Sequence, residues 1–125
     1  MNAKTKQIND HAYPYIINAI DADGYDAKPE TDSEKLQFLS ATFHAEYGWM
    51  VERVGPVAAF AEWTQGLPSC FNIEFYNWDI LRLAREWGSL PENATDRQEQ
   101  RIIDNYWNFI ANKTFQLFRK HNITV

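Results

Sequence analysis

Cys70 is the only cysteine of the chain and sits in Gly66-Leu67-Pro68-Ser69-Cys70. A cysteine becomes a nucleophile where a base or an electropositive setting lowers its pKa. The available imidazoles are His11, His44 and His121, and none stands at a spacing that implies contact with Cys70. The favoured role is a small buried hydrophobe. His44-Ala45-Glu46 makes no metal pair, because residues two apart point to different sides of a helix. Neither an HExxH run nor a Cys/His cluster occurs, so no metal site is expected. Asp21, Asp23 and Asp26 gather around Gly24 in the manner of a calcium loop. An EF-hand places glycine sixth and glutamate twelfth; counted from Asp21, glycine is fourth and Asp32 is twelfth. An ordinary solvated turn uses the same residue types and is the expected reading.

Other reactive arrangements are equally unspecific. The 5 glycines form no phosphate cradle, and a serine elbow is missing. Glu46, Glu62, Glu74 and Glu86 could supply a carboxylate pair, but any helical protein offers such pairs. No catalytic residue and no cofactor is implied. Lys113, Arg119, Lys120 and His121 gather near the end of the last helix, where cations complement the helix dipole and long stems reach off an apolar face. An anion or nucleic-acid contact is the sharper reading of those four. The net charge of −5 argues against it, since nucleic-acid affinity comes largely from phosphate neutralisation.

The segment 66–77 is the most suggestive. It is long for a connection, contains Pro68, and mixes Ser69, Asn72, Glu74 and Asn77 with Phe71, Ile73, Phe75 and Tyr76. Polar groups among aromatics suit a protein partner or a small ligand, and loops carry function more often than helices. The plainer reading is that its rings plug the core. Phe71 to Phe75 alternates apolar and polar as a strand does, but with no second strand to pair with, an extended loop is expected.

These groups must be positioned by helices. Thr31-Asp32-Ser33-Glu34 and Thr95-Asp96-Arg97-Gln98 are capping boxes. The first opens a helix running to about residue 54, where Gly55 can take the left-handed conformation and Pro56 starts the next helix. That one stops at Gly66. Asn77 can cap a shorter helix ending at Trp87 with Gly88 beyond, and the last helix runs to about His121. A first helix spans about 14–22. One domain, 1–125, accommodates all of this.

Placing residues at 100° steps exposes a surplus of apolar surface. In the last helix Ile103, Trp107, Ile110, Thr114, Leu117 and Phe118 define one face, widened by Ile102, Tyr106 and Phe109 on one side and Ala111 and Phe115 on the other. Only Arg101, Asn105, Asn108, Asn112, Gln116 and Arg119 remain as a polar strip. The helix is expected to be central, or shared with a second subunit. The helix from Thr31 carries a core stripe of Leu36, Leu39, Phe43, Tyr47, Met50 and Val54, and opposite it Phe38, Ala41, Ala45 and Trp49, with Gly48 alongside. A mid-helix glycine costs about 1 kcal/mol against alanine, which close approach of another backbone would explain. Something is expected to cover that second face: another helix of the chain, a second copy, or another protein.

With 19 aromatic residues (5 Trp, 6 Tyr, 8 Phe), the chain buries enough area to fold without disulfides. No apolar run approaches the roughly 20 residues of a membrane span, and Met1 to Gln7 leads into no apolar signal core. Together with one unpaired cysteine this reads as cytoplasmic; the Asn-X-Thr triplets at 93, 112 and 122 then carry no meaning.

Gly66-Leu67-Pro68-Ser69, the run from Ile80 to Gly88 (ILRLAREWG) and that from Asn105 to Lys113 (NYWNFIANK) resemble segments of small uncharacterised proteins of phages and other mobile elements. The likeness covers about the last two-thirds of the chain. It implies an accessory protein that binds host or phage components, and no activity.

The expectation is thus an all-α bundle of four to five helices around a long C-terminal helix, acting as a non-catalytic interaction protein. Partner contacts are expected at Phe38, Ala45, Trp49, Phe71, Asn72, Glu74 and Tyr76, with a homodimer among the outcomes. The alternative is a small-molecule binder or enzyme with a pocket beneath 66–77, anchored by Glu62, Ser69, Asn72 and Glu74.

Overall fold

Both long helices start as their capping boxes require. The Thr31 hydroxyl accepts from the Glu34 N–H, and the Glu34 carboxylate accepts in return from the Thr31 N–H, each at 3.1 Å. Thr95 and Gln98 repeat the exchange at 3.2 and 2.8 Å. Each box satisfies donors that a helix start leaves orphaned. The computed structural model describes residues 12–73 and 76–124, with side chains from residue 14. Its helices are α1 (Ala12–Asn18), α2 (Asp32–Tyr47), α3 (Val51–Val54), α4 (Pro56–Gln65), α5 (Asn77–Glu86) and α6 (Asp96–Lys120), with a 3-10 turn at Gly48–Met50. The fold is all-α, with no strand among the described residues.

Helix α6 is the axis of the bundle. It packs most extensively along α4 and also meets α5, α1 and α2. Its wide apolar arc explains this: Ile103, Trp107, Ile110, Ala111, Thr114, Phe115, Leu117 and Phe118 are buried, and Ile102, Tyr106 and Phe109 are half-buried against the core. The amide and arginine strip faces water. Asn122 (φ 59°) takes the left-handed cap, and the Ile123 N–H returns to the Phe118 carbonyl at 2.8 Å. The rings of α2, α4 and α6 converge on Phe60, whose ring lies 5.2 Å from Phe43, 5.6 Å from Trp63 and Phe115, 5.9 Å from Phe71 and 6.2 Å from Phe118. Most are edge-on or tilted contacts, the arrangement that ring quadrupoles favour.

Three local expectations are corrected. The helix from Thr31 does not run unbroken to residue 54. Tyr47 leaves helical geometry at φ −138°, ψ 9°, the chain overwinds through Gly48–Met50, and a single turn follows before Gly55. Gly55 is not left-handed helical but sits at φ 88°, ψ 161°, a region open essentially to glycine alone. Among the described residues a Cβ at Gly48 would meet only the His44 side chain, at 3.6 Å, so the expected close approach of another backbone is not found among them. Second, Asn77 is not the cap of α5. Tyr76 precedes the helix and donates its N–H to the Asp79 carboxylate at 3.1 Å, while Asn77 Oδ1 accepts the Trp107 indole N–H at 3.0 Å. Third, the segment is an extended loop and not a strand, as expected, but it does find a neighbour to bridge to. The chain leaves α1 after Asn18, and Ile20 forms an antiparallel bridge with Phe71. Asp21 donates its N–H to the Cys70 carbonyl at 2.9 Å, and Asn72 donates to the Ala19 carbonyl at 2.7 Å.

Candidate functional site

Two clusters of aromatic side chains stand out from the core. In the first, Trp49 is 59 % exposed. The overwound turn projects its ring outward, where Tyr47 meets it edge-on at 5.3 Å and the Arg53 guanidinium lies 5.5 Å from its centroid. Such a cation–π contact holds the indole in place. The Tyr47 hydroxyl is pushed above its ordinary pKa, chiefly by its hydrogen bond to the Glu62 carboxylate and then by burial. Glu62, exposed on α4, thus acts on Tyr47.

The second cluster opens α5. Trp78 is 65 % exposed and Tyr76 47 %; their rings are nearly parallel, 6.4 Å apart at 6°. Trp78 is absent from the sequence-based candidates, although the signal was present. At 100° per residue it falls about 160° from Ile80 and about 120° from Ala84, the two buried residues of α5.

The other expected contact residues divide. Ala45 is exposed. Phe38 is half-buried, with the Tyr25 ring edge-on at 5.2 Å, so the chain itself covers part of that face. Phe71 is only 1 % exposed and is corrected from contact residue to core plug: the Ile20 bridge turns it inward onto Phe60. Glu74 lies outside the described residues.

The polar anchors expected of a ligand pocket hold the loop instead. The Asn72 side chain donates to the Asp21 carboxylate at 3.1 Å and to the Ser69 carbonyl at 3.2 Å. Ser69 and Tyr25 share a hydroxyl hydrogen bond of 2.8 Å. Inside this frame Cys70, Phe71 and Ile73 are buried. The tip stays apolar: Leu67 is 49 % exposed and held at φ 57°, a left-handed conformation that costs a non-glycine residue roughly 1–2 kcal/mol.

Several other polar groups are engaged within the fold. The Thr64 and Thr114 hydroxyls are buried and donate to carbonyls of their own helices, at 3.0 Å to Phe60 and 2.8 Å to Ile110. Asp21 accepts the Asp23 N–H at 2.9 Å besides the Asn72 amide, on the rim of an open cleft of about 380 Å3 that Tyr25, Lys28, Glu30 and Lys35 also line. No group of three or more potential metal ligands occurs among the described residues. Lys113 lies over the Phe109 ring at 5.9 Å, while Arg119 points to water.

Cys70 is fully buried, and desolvation, then the charge of Glu46, pushes its thiol up to about 11. A thiol-specific reagent at about pH 8, near the ordinary thiol range, should leave the native protein unmodified and label Cys70 only on unfolding. Because the fold keeps this proton, the stability tied to it is present below the ordinary 9.0 and is lost as pH rises towards about 11. Burial and then Tyr15 likewise raise Tyr106. Urea midpoints should fall as the solution is taken above pH 9.0.

No protein-family model, curated protein or solved structure matches the chain. No helix among the described residues is long and apolar enough to cross a membrane.

Proposed function

We propose that the chain is a non-catalytic interaction protein that engages a protein partner through its exposed aromatic clusters. The observation that carries this is the exposure of Trp49 and Trp78, at 59 % and 65 %, in a chain that buries Trp107, Phe43, Phe60, Phe71 and Phe118 almost completely. Tryptophan, tyrosine and arginine are the side chains that most often anchor interfaces; the two aromatics contribute a large desolvated area at low entropic cost. The clusters are made of these types: Tyr47, Trp49 and Arg53 in one, Tyr76 and Trp78 in the other. The strained, exposed Leu67 adds a third apolar point, and backbone strain concentrates where function requires it. Conversely, the Thr64 and Thr114 hydroxyls and the Cys70 thiol are buried within the fold.

Affinity capture tests this. The wild-type chain should retain partner protein, and Trp49→Glu or Trp78→Glu should lose at least part of it while keeping its far-ultraviolet circular dichroism. Both positions are exposed, so each change should move stability by no more than about 0.5 kcal/mol. Unchanged capture by both variants would refute the assignment.

A further inference from the structure

Two largely exposed rings open α5. Trp78 is 65 % exposed and Tyr76 47 %, and their planes lie within 6° of parallel with centroids 6.4 Å apart. Tyr76 is extended, at φ −82° and ψ 163°, and its N–H is tied to the Asp79 carboxylate at 3.1 Å. That bond fixes the backbone from which both rings project. A shared orientation at a set spacing suits a linear ligand that repeats flat apolar groups at a similar interval.

A polyproline II helix is such a ligand. It rises about 3.1 Å per residue, so residues two apart advance about 6.2 Å, against the 6.4 Å between the ring centroids. With about three residues per turn, two of every three can lie against one surface. Its conformation is set before binding, so little chain entropy is lost at a small site.

Hydrogen bonding points the same way. The Trp78 indole can only donate, and its N–H has no partner among the described residues. The acceptors beside the rings are committed: the Asp79 carboxylate to the Tyr76 N–H and to Arg82, and Asn77 Oδ1 to the Trp107 indole. The site thus offers ring faces and a donor, while a proline-rich segment offers ring faces and carbonyl acceptors, with no N–H on its prolines. A sugar, whose hydroxyls donate as well as accept, would find those acceptors taken. Charge narrows the choice further. Two carboxylates, Asp79 and Glu86, flank the single guanidinium of Arg82 at 3.4 and 3.8 Å, in a chain of net charge −5. That balance opposes a polyanion such as single-stranded nucleic acid and favours a cation beside the prolines.

We propose that Tyr76 and Trp78 dock a proline-rich segment of a partner protein in the polyproline II conformation. The Trp78 indole N–H donates to one of its carbonyls, and a basic residue of the segment lies towards Asp79 and Glu86. This deepens the proposed function and rests on it, by naming the chemistry of the partner at one of the two aromatic clusters. Two rings bury far less than the ~800 Å2 per partner of a standard interface, so binding is weak, with a Kd of about 100 μM, between the micromolar and millimolar marks.

Heteronuclear NMR titration of the full chain with a decaproline peptide ending in two arginines tests it. The Trp78 indole N–H signal should move, and that of the buried Trp107 should stay. A peptide with glycine and serine in place of the prolines, ending in the same arginines, should leave both signals in place. Trp78→Ala, at an exposed position, should keep the fold and lose the binding. Trp78→Phe keeps a ring and removes the donor, so it should weaken binding by about threefold to tenfold, the net value of one hydrogen bond. Equal binding of the glycine–serine peptide, binding that survives Trp78→Ala, or a Trp78 signal moved by cellohexaose or oligothymidine and not by the proline peptide would each overturn the docking. Trp78-dependent capture of protein without proline-peptide binding sinks this inference and spares the interaction role. Capture indifferent to both Trp49→Glu and Trp78→Glu sinks that role.

Discussion

Phe60→Ala should destabilise the chain by about 3–5 kcal/mol, the range for a buried phenylalanine replaced by alanine. Phe60 is fully buried and touches five other rings drawn from α2, α4, α6 and the 66–77 loop. Those neighbours are held by separate elements, so they cannot collapse together into the space, and the cavity term adds to the lost transfer energy. Because domains of this size are stable by only about 5–15 kcal/mol, one such cavity removes a large part of the total. Phe60→Leu keeps most of the volume and should cost far less, about 1–2 kcal/mol. Urea unfolding followed by circular dichroism measures both. A cost for Phe60→Ala close to that for Phe60→Leu would mean that the ring is not the hub.

The second large effect belongs to Trp107. Its ring is 2 % exposed and its indole N–H reaches Asn77 Oδ1 at 3.0 Å, which ties the start of α5 to the middle of α6. Trp107→Ala should cost about 3–5 kcal/mol. Asn77→Ala keeps the ring and strands the donor, a penalty of about 1–3 kcal/mol. Trp107→Phe removes the donor with most of the ring kept. The double variant Asn77→Ala/Trp107→Phe should therefore be more stable than the sum of its parts implies, because no donor is left unpaired. Additive costs in that cycle would show that the hydrogen bond contributes nothing.

What could be read from residues alone follows from how local each signal is. The capping boxes at Thr31 and Thr95 act within four residues, and the structure places both helix starts where they put them. The central place of α6 was legible because an apolar arc of that width leaves no other position for the helix. Signals that depend on distant neighbours were harder to read. Nothing within the segment 69–73 tells that Ile20 and Asp21 will come alongside, and that pairing turns Phe71 inward and engages Ser69 and Asn72. The wheel of α2 puts Trp49 opposite the core stripe, yet the overwinding at Gly48–Met50 sets the ring's direction, and a wheel drawn at constant 100° per residue assumes that such a turn is absent. Trp78 stands on the wheel of α5 about 160° from Ile80, a signal as local as the capping boxes.

The most direct measurement of the interaction role is site-specific photo-cross-linking in living cells, with a benzophenone side chain placed in turn at positions 49, 78 and 108. Asn108 is exposed on the polar strip of α6, outside both aromatic clusters, and serves as the control. Covalent protein adducts should form at 49 and at 78 and be absent at 108. Adducts equally abundant at all three positions, or none at 49 and 78, would contradict the account.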